Sequence, residues 1–436
     1  MVLPIASSRA AILCDTQGHS NPDRSVPAVL RSGGDHLARA IETTGSRLAT
    51  SDGQPSAINF FGPISGNMGL GVAARNWLRF LLDAGLEVFA ADTPDRRGRS
   101  GHSREFLPLT HGLDEPSPHG INLFSMNPWS VQELVGASHR AVELDGRVNV
   151  IVPFWELMTV PEDWRAGLEM MDLVVAPTRF IAEAIRSVKL DAEVVYVPQP
   201  FETGEVGAPD RAHWDTPEDA FLVVAGFELS SDIERKNPWA LLEAFAQAFP
   251  SEPRARLILK LNNARRWSQS DRSLSLLIEA CARDPRIRLL VDVLPYREVL
   301  SLYATADVYV SLHRAEGLGL GMLEAMSVGT PVVSTGWSGN LDYMTPANSF
   351  LVDYRMVPVR APTLKVYSPE VLGPKARWAE PDPAHAADWL RRLAADPALG
   401  RHRSERALAD LARRREASEP SALLAALQRV AGRESG

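Results

Sequence analysis

The chain has little cysteine and no long apolar run, and each absence excludes a class of protein. Its two cysteines among 436 residues, Cys14 and Cys281, lie far apart without metal-binding spacing, which excludes a disulfide-rich scaffold and a cysteine zinc site. No apolar run reaches the roughly 18 residues of a membrane-spanning helix. The N-terminus MVLPIASSRAAILCD is too short and too polar for a secretory signal. We therefore expect a cytoplasmic protein, and peripheral contact with the inner face of a membrane stays open.

An excess of basic residues is also absent. The formal net charge is −8, with 46 Lys and Arg against 54 Asp and Glu, which argues against a nucleic-acid-binding protein. The composition, 45% hydrophobic and 23% charged, is typical of a globular protein with two or three domains.

Lysine is scarce, and its few positions are therefore informative. The chain has five lysines against 41 arginines. Lys236 follows the apolar strand FLVVAGFE and Lys260 ends the strand LILK, so both are predicted at carboxyl ends of strands, where open α/β sheets bind ligands. With Arg235 they would form a cationic patch able to stabilise a diphosphate leaving group. The alternative is that both lysines are solvated surface residues.

Short apolar runs alternate with segments of helical periodicity from Ala57 onwards, which is typical of strand–helix units. The first series of strands comprises AINFF, EVFAAD, INLFSMN, VNVIVPFWE, LVVAPT and VVYVPQP, and the second comprises FLVVAGFE, ARLILKLN, RIRLLVDVL, VYVSL and PVVST. The pattern predicts an α/β protein with two doubly wound, Rossmann-like parallel-sheet domains that face each other across a cleft.

Changes in composition divide the chain into four predicted parts. Residues 1–56 form an N-terminal extension of uncertain order, because they are rich in Ser, Gly and Pro and offer little to bury. Residues 57–205 form the N-terminal Rossmann-like domain and residues 206–400 the C-terminal one. Residues 401–436 form a helical segment that packs across the domains.

Two glutamates flank a glycine-rich stretch in HRAEGLGLGMLEAM, residues 313–326. The sequence predicts a loop that carries Glu316, followed by a helix MLEAMSVG with Glu324 in its first turn. Amides at a helix N-terminus hold phosphate, while the glutamates can accept hydrogen bonds from sugar hydroxyls. The alternative is an ordinary turn before a helix with an acidic first turn.

Three motifs resemble the family 4 retaining glycosyltransferases, which belong to glycosyl transferases group 1 and have a GT-B fold: SGNMGLGVAAR, ERKNPWALLEAFAQAF and HRAEGLGLGMLEAMSVGTPVVSTGWSGNLDYM. NVIVPFWELMTVPEDW and RWAEPDPAHAA resemble stretches of bacterial members, and the whole resemblance covers roughly residues 58–400. It implies a hexosyltransferase of polysaccharide or glycoconjugate synthesis that moves a sugar from a GDP- or UDP-sugar to a glycan, lipid-linked or other acceptor. It also implies retention of anomeric configuration, with no cofactor and no metal in the site, the acceptor on the N-terminal domain and the donor on the C-terminal one.

The resemblance also assigns roles to residues. Glu316 would contact donor-sugar hydroxyls, Arg235 and Lys236 would neutralise the diphosphate, and Glu324 would hold the ribose hydroxyls. The other residues implied in donor binding are Gly317, Leu318, Gly319, Leu320, Lys260, Leu294, Tyr296, Gly69 and Gly71.

Two positions depart from the family pattern. Gly226 and Phe227 replace a frequent Gly-Arg pair, so the arginine role either falls to Arg235 or is absent. Trp155 takes the place of a histidine that lies beside the donor sugar in many members. The next residue, Glu156, either orients the acceptor or caps a helix. His313 either replaces the missing imidazole or packs under the loop.

Three further interpretations remain at this point. One is a catalytically impaired, nucleotide-sugar-binding protein, suggested by Trp155. A glycoside hydrolase with a carboxylate pair ranks last, because a helix start would keep Glu324 ionised. Finally, the basic run Arg96–Arg99 either contacts an acceptor phosphate or is a solvated loop.

Overall fold

The computed structural model describes residues 57–93, 103–137, 142–262, 272–360, 362–417 and 420–434. The predicted extension 1–56 and the basic run Arg96–Arg99 lie outside the described residues. Within the described part of the chain, no helix combines the length and the apolar character needed to cross a membrane.

The first domain is built on a seven-stranded parallel sheet with the strand order β3-β2-β1-β4-β5-β6-β7. Its strands are β1 Ala57–Gly62, β2 Glu87–Asp92, β3 Thr110–His111, β4 Ile121–Phe124, β5 Val148–Ile151, β6 Leu173–Ala176 and β7 Glu193–Tyr196. Its helices are α1 Gly69–Asp83, α2 Pro128–Ala137, α3 Trp164–Leu168 and α4 Arg179–Arg186. Strands β4, β5 and β6 are buried at every position, as expected for a parallel sheet covered on both faces.

The second domain is built on a six-stranded parallel sheet with the order β10-β9-β8-β11-β12-β13. Its strands are β8 Phe221–Glu228, β9 Ala255–Asn262, β10 Ile287–Leu290, β11 Val308–Ser311, β12 Val332–Thr335 and β13 Phe350–Val352. Its helices are α5 Ile233–Lys236, α6 Pro238–Ala248, α7 Arg272–Ala282, α8 Tyr296–Thr305 and α9 Leu320–Ser327. The predicted architecture of two doubly wound α/β domains is confirmed.

An antiparallel strand pair that the sequence did not predict follows the second sheet. Strand β14 Tyr354–Pro358 pairs with β15 Arg377–Pro381, and the short helix α10 Pro369–Leu372 lies between them. Tyr367, Leu372 and Trp378 from this segment pack in the same apolar cluster as Trp155 of the first domain. The segment therefore connects the second sheet to the core of the first domain.

Three helices end the described chain: α11 Pro383–Ala395, α12 Pro397–Ala417 and α13 Ser421–Glu434. Helix α12 runs through residues 400 and 401, so the predicted boundary there falls within one helix. Helix α13 returns to the first domain, where Leu423 and Leu427 pack in the cluster that contains Ile58 and Leu123.

Candidate active site

A cavity of about 1420 Å³ lies between the two domains and is lined by residues from both. Most residues singled out from the sequence line it: Glu316, Arg235, Lys236, Glu324, Gly317, Leu318, Gly319, Leu320, Lys260, Leu294, Tyr296, Gly69 and Glu156. Gly71 and His313 are not among its lining residues. Open α/β sheets bind ligands beyond the carboxyl ends of their strands, which is where this cavity lies.

Helix α9 begins earlier than predicted, and this changes the setting of Glu324. Gly319 caps the helix with a φ of +82°, in the left-handed region that glycine tolerates best. Leu320 is thus the first helical residue, and the first turn holds no acidic residue. The prediction that Glu324 lies in the first turn was wrong, and so was the dipole argument drawn from it.

Glu316 forms ion pairs with both predicted cations. Its Oε1 lies 2.5 Å from Lys236 Nζ, and its Oε2 lies 3.3 Å from Arg235 Nη1. The Glu316 amide donates to Ser338 Oγ at 2.9 Å, so the backbone is held as well. Burial raises the pKa of Glu316, but the charges of Lys236 and Arg235 more than offset it and bring the pKa to about 2. Glu316 is therefore ionised at all ordinary pH values.

The two cations share helix α5 but have different freedom. Asp232 caps this helix and accepts hydrogen bonds from the amides of Glu234 and Arg235. The Arg235 side chain is 2% exposed and donates to the carbonyl oxygens of Ala315 at 2.7 Å and Ser231 at 3.1 Å.

Lys236, by contrast, keeps 18% of its side chain exposed. Burial lowers the pKa of its ammonium group, and Glu316 opposes the shift. Lys236 is consequently better placed than Arg235 to meet a ligand in the cavity.

A second charged cluster surrounds Glu324. Burial raises the pKa of its carboxyl to about 7, although Tyr296, Lys260 and Arg75 each lower it. Burial likewise lowers the pKa of Lys260 to about 8, against the charges of Glu228 and Glu324. The carboxyl and the ammonium thus sit near neutrality, the pH range in which catalytic groups are frequently poised.

Arg75 is a member of this cluster that sequence reasoning missed. It donates from helix α1 to the carbonyl oxygens of Ile64 at 2.7 Å and Gly66 at 3.0 Å, and so fixes the glycine loop against the helix. The only local signal was its place within the motif SGNMGLGVAAR, and an arginine is common in this arginine-rich chain.

The two glycines of that loop have different functions. A Cβ at Gly69, the first residue of α1, would have no atom within 4 Å, so the cavity is open there. A Cβ at Gly71 would lie 2.2 Å from the carbonyl oxygen of Gly66. Gly71 therefore allows the loop to pack on the helix, and the prediction that it admits a ligand was wrong.

Asn67 in the same loop bridges to the second domain. Its carbonyl oxygen accepts a hydrogen bond from Asn262 Nδ2 at 3.0 Å. Asn262 Oδ1 in turn accepts from Lys260 Nζ at 3.1 Å. The glycine loop of the first domain is thus linked to the cationic end of β9.

Trp155, at the position of the family histidine, has no free polar atom for a ligand. Its ring is buried, and its Nε1 donates to the carbonyl oxygen of Thr159 at 2.9 Å. The neighbouring Glu156 accepts from the Tyr367 hydroxyl at 2.8 Å and lies 3.7 Å from Arg235 Nη2. Tyr367 is a second cavity residue that the sequence did not reveal, because it is 211 positions from Glu156.

His313 packs under the loop. Its Nδ1 lies 3.0 Å from Ser311 Oγ and its Nε2 lies 3.2 Å from the carbonyl oxygen of Trp337. The ring is fully buried, and burial lowers its pKa. Of the two alternatives for His313, the structure favours packing under the loop, because neighbouring groups contact both ring nitrogens and the ring does not line the cavity.

The described ranges of the chain contain no group of three or more His, Cys, Asp and Glu side chains arranged to hold a metal ion. Cys281 is buried and unpaired.

Residues 222–359 match the family model of Glycosyl transferases group 1, so the second domain contains a domain of this type. O-antigen chain mannosyltransferase B of Escherichia coli is 43% identical over 99 residues, which are 23% of this chain and 25% of its own length. Lipopolysaccharide core biosynthesis glycosyltransferase LpsE of Rhizobium meliloti (strain 1021) is 29% identical over 184 residues, 42% of this chain and 49% of its own length. The chain thus spans about a quarter of the length of the first of these curated relatives and about half of the length of the second.

Two solved structures share the fold over most of the chain. HepE of Anabaena, in complex with UDP and glucose, has a TM-score of 0.60 at 14% identity and covers 87% of this chain and 99% of its own. Sucrose-phosphate synthase of Thermosynechococcus elongatus has a TM-score of 0.56 at 17% identity, covering 87% and 98%. The predicted GT-B fold is confirmed.

Proposed function

We propose that the protein is a retaining glycosyltransferase of family 4 that transfers a hexosyl group from a nucleoside diphosphate sugar to a glycan or lipid-linked acceptor. The reaction would serve polysaccharide or glycoconjugate synthesis, in keeping with the names of both curated relatives. The observation that carries the proposal is the pairing of Glu316 with Lys236 and Arg235 at the wall of the interdomain cavity.

The chemistry separates into two tasks. As the bond from the anomeric carbon to the β-phosphate oxygen breaks, negative charge develops on the diphosphate, and Lys236 Nζ is placed to stabilise it. Glu316 accepts hydrogen bonds from donor-sugar hydroxyls, beside the backbone of residues 317–320. The acceptor hydroxyl forms the new bond on the same face of the ring, and its proton leaves with the diphosphate. No metal ion is required in this scheme.

The nucleoside end of the donor lies beside Glu324 in our proposal. Its carboxylate accepts hydrogen bonds from the ribose hydroxyls, with the base near Leu294 and Tyr296, which line the cavity. The name of the Escherichia coli relative favours a mannosyl donor such as GDP-mannose, whereas HepE was crystallised with UDP. Both nucleotides therefore belong in the test.

The acceptor lies against the first-domain wall of the cavity. Trp129 on α2 is 38% exposed and lines the cavity, as do Ser130 and Glu133 on the same helix and Asp114 before β4. An exposed aromatic face packs on the C–H face of a pyranose, and flanking carboxylates accept from its hydroxyls. This wall favours a sugar as the acceptor group.

The test is a panel of UDP- and GDP-sugars with mono- and oligosaccharide acceptors, read out by release of nucleoside diphosphate. Lys236→Ala and Glu316→Gln should each lower kcat roughly 100-fold. The exposed residues Lys375 and Glu279 offer matched controls, and Lys375→Ala and Glu279→Gln should keep wild-type rates.

Two further measurements complete the test. NMR of the product should show the anomeric configuration of the donor, and EDTA should leave the rate unchanged. Nucleoside diphosphate binding without turnover on every donor and acceptor would instead support the catalytically impaired binding protein. Unchanged kcat in both site variants would discard the assigned site.

A further inference from the structure

Two contacts that cross the cleft beside the site meet at Glu156 of the first domain. Its Oε2 accepts from the Tyr367 hydroxyl at 2.8 Å, and its Oε1 lies 3.7 Å from Arg235 Nη2. Arg235 in turn contacts Glu316 Oε2 at 3.3 Å and the Ala315 carbonyl oxygen at 2.7 Å. A continuous chain of alternating charges therefore runs from one domain to the carboxylate assigned to the donor sugar.

Tyr367 reaches this chain from the segment between β14 and β15. Its ring stacks on Trp155 with centroids 5.4 Å apart and an interplanar angle of 24°. The Arg235 guanidinium lies 5.6 Å from the centroid of the same ring. Tyr367 thus packs on the first domain with its ring and holds Glu156 with its hydroxyl.

We infer that Tyr367 and Glu156 form a cross-domain clamp that positions Glu316 through Arg235. In this role they are positioning residues, because neither needs to touch the reacting atoms. The inference rests on the proposed function for its catalytic consequence only. The clamp itself is a property of the protein without substrate.

The physical reason lies in the buried charge of Arg235. A guanidinium withdrawn from water is stable only where its donors meet acceptors, and here those acceptors come from both sides of the cleft. If the domains separate, Arg235 loses Glu156 and keeps Glu316 and the carbonyl oxygens of Ala315 and Ser231, all on its own domain. The position of Glu316 is therefore coupled to closure of the cleft, and the hydroxyl of Tyr367 strengthens the closed arrangement.

Hydrogen exchange measures the clamp without any substrate. Tyr367→Phe keeps the stacked ring and removes the hydroxyl, so amide exchange should rise several-fold in residues 153–159 and also in residues 314–318 on the other domain. Tyr354→Phe, which alters an exposed tyrosine on β14, should leave both segments unchanged. A rise in one segment only, or in neither, overturns the clamp.

Glu156→Gln provides a second variant in case Tyr367→Phe does not fold. It keeps an acceptor for the Tyr367 hydroxyl but removes the negative charge that faces Arg235. The same two segments should exchange faster, and the double variant should add little to the larger single effect because both changes break one chain of contacts. Fully additive effects contradict the clamp.

The catalytic readout separates this inference from the proposed function. With the donor found active on the wild type, Tyr367→Phe should lower kcat about ten-fold and leave the Kd for the nucleoside diphosphate unchanged. An active wild type with an equally active Tyr367→Phe overturns the positioning role. If the wild type shows no turnover but Tyr367→Phe gives the exchange result described above, the proposed function is overturned and the clamp is supported.

Discussion

At the scale of single residues, composition was informative where it was biased. Two of the five lysines, Lys236 and Lys260, line the cavity, whereas Lys189 and Lys375 are exposed. Lys260 stands near the carboxyl end of β9, where an open sheet faces a ligand, whereas Lys236 is the last residue of the short helix α5 that follows β8. His313 carried no such signal, because its partners come from Ser311 and the distant Trp337.

Glu324 leads to a prediction about pH. Its pKa in the folded protein is about 7, against roughly 4.3 in an unfolded chain. Below about pH 4 the carboxyl is protonated in both the folded and the unfolded protein, and its contribution to stability is complete. As the pH rises towards 7, the unfolded protein loses this proton while the folded protein retains it, so the contribution declines. Glu324→Gln stays neutral, so its stability relative to wild type should rise by about 2.5 kcal/mol between pH 5 and pH 8.

Thermal unfolding at the two pH values measures this difference. The melting temperature of Glu324→Gln minus that of wild type should be a few degrees larger at pH 8 than at pH 5. The exposed Glu279→Gln should show the same difference at both. An equal shift for Glu324→Gln at both pH values would mean that the carboxyl is ionised throughout.

At the scale of elements, apolar runs located the long strands and helices, and tertiary contacts set their ends. Strand β8 and strand β9 have the predicted bounds, Phe221–Glu228 and Ala255–Asn262. Helix α9 begins at Leu320 because Gly319, whose backbone is in the left-handed region, caps the helix at that point. The β14–β15 pair was missed because β14 is exposed or half-buried at every position, and the sequence of β15, RWAEP, shows no apolar run.

The loop before α9 leads to a prediction about Gly317. A Cβ there would lie 2.7 Å from the carbonyl oxygen of Trp155 on the other domain, and Thr178 Oγ1 donates to the Gly317 carbonyl oxygen at 3.0 Å. Gly317→Ala should therefore push the two backbones apart and destabilise the protein by about 1–3 kcal/mol. Gly120→Ala, where a Cβ meets no atom within 4 Å, should change stability by at most about 0.5 kcal/mol.

Thermal unfolding of these two glycine variants is the measurement. Equal melting temperatures for Gly317→Ala and Gly120→Ala would show that the cleft widens at no cost. A selective loss for Gly317→Ala would show that the two domains are packed as closely as the contacts indicate.

At the scale of the whole molecule, the chain crosses between its domains more than once. The segment between β14 and β15 packs on the first domain, and α13 covers the first sheet after α12 has packed with α9 of the second domain. Because the C-terminal helices contact both domains, we expect the stability of the first domain to depend on residues distant from it in sequence.

Leu427 on α13 provides the test of this dependence. Its side chain is fully buried against the first sheet, so Leu427→Ala should destabilise the protein by about 3 kcal/mol. Leu408 on α12 is 43% exposed, and Leu408→Ala should cost less than about 1 kcal/mol. Proteolysis or thermal unfolding of the two variants measures the difference, and equal losses would contradict the packing of α13.

The amino-acid sequence by itself determined the two parallel-sheet domains, the glycine-rich loop and the convergence of Glu316 with Lys236, because each depends on a local pattern of apolar strands and on which residues stand at strand ends. Only the tertiary structure decided that Glu156 meets Tyr367 and Arg235, that His313 is enclosed, and that Gly71 packs on a loop. These contacts depend on how distant segments and side chains pack together, and such packing leaves no periodicity in the chain.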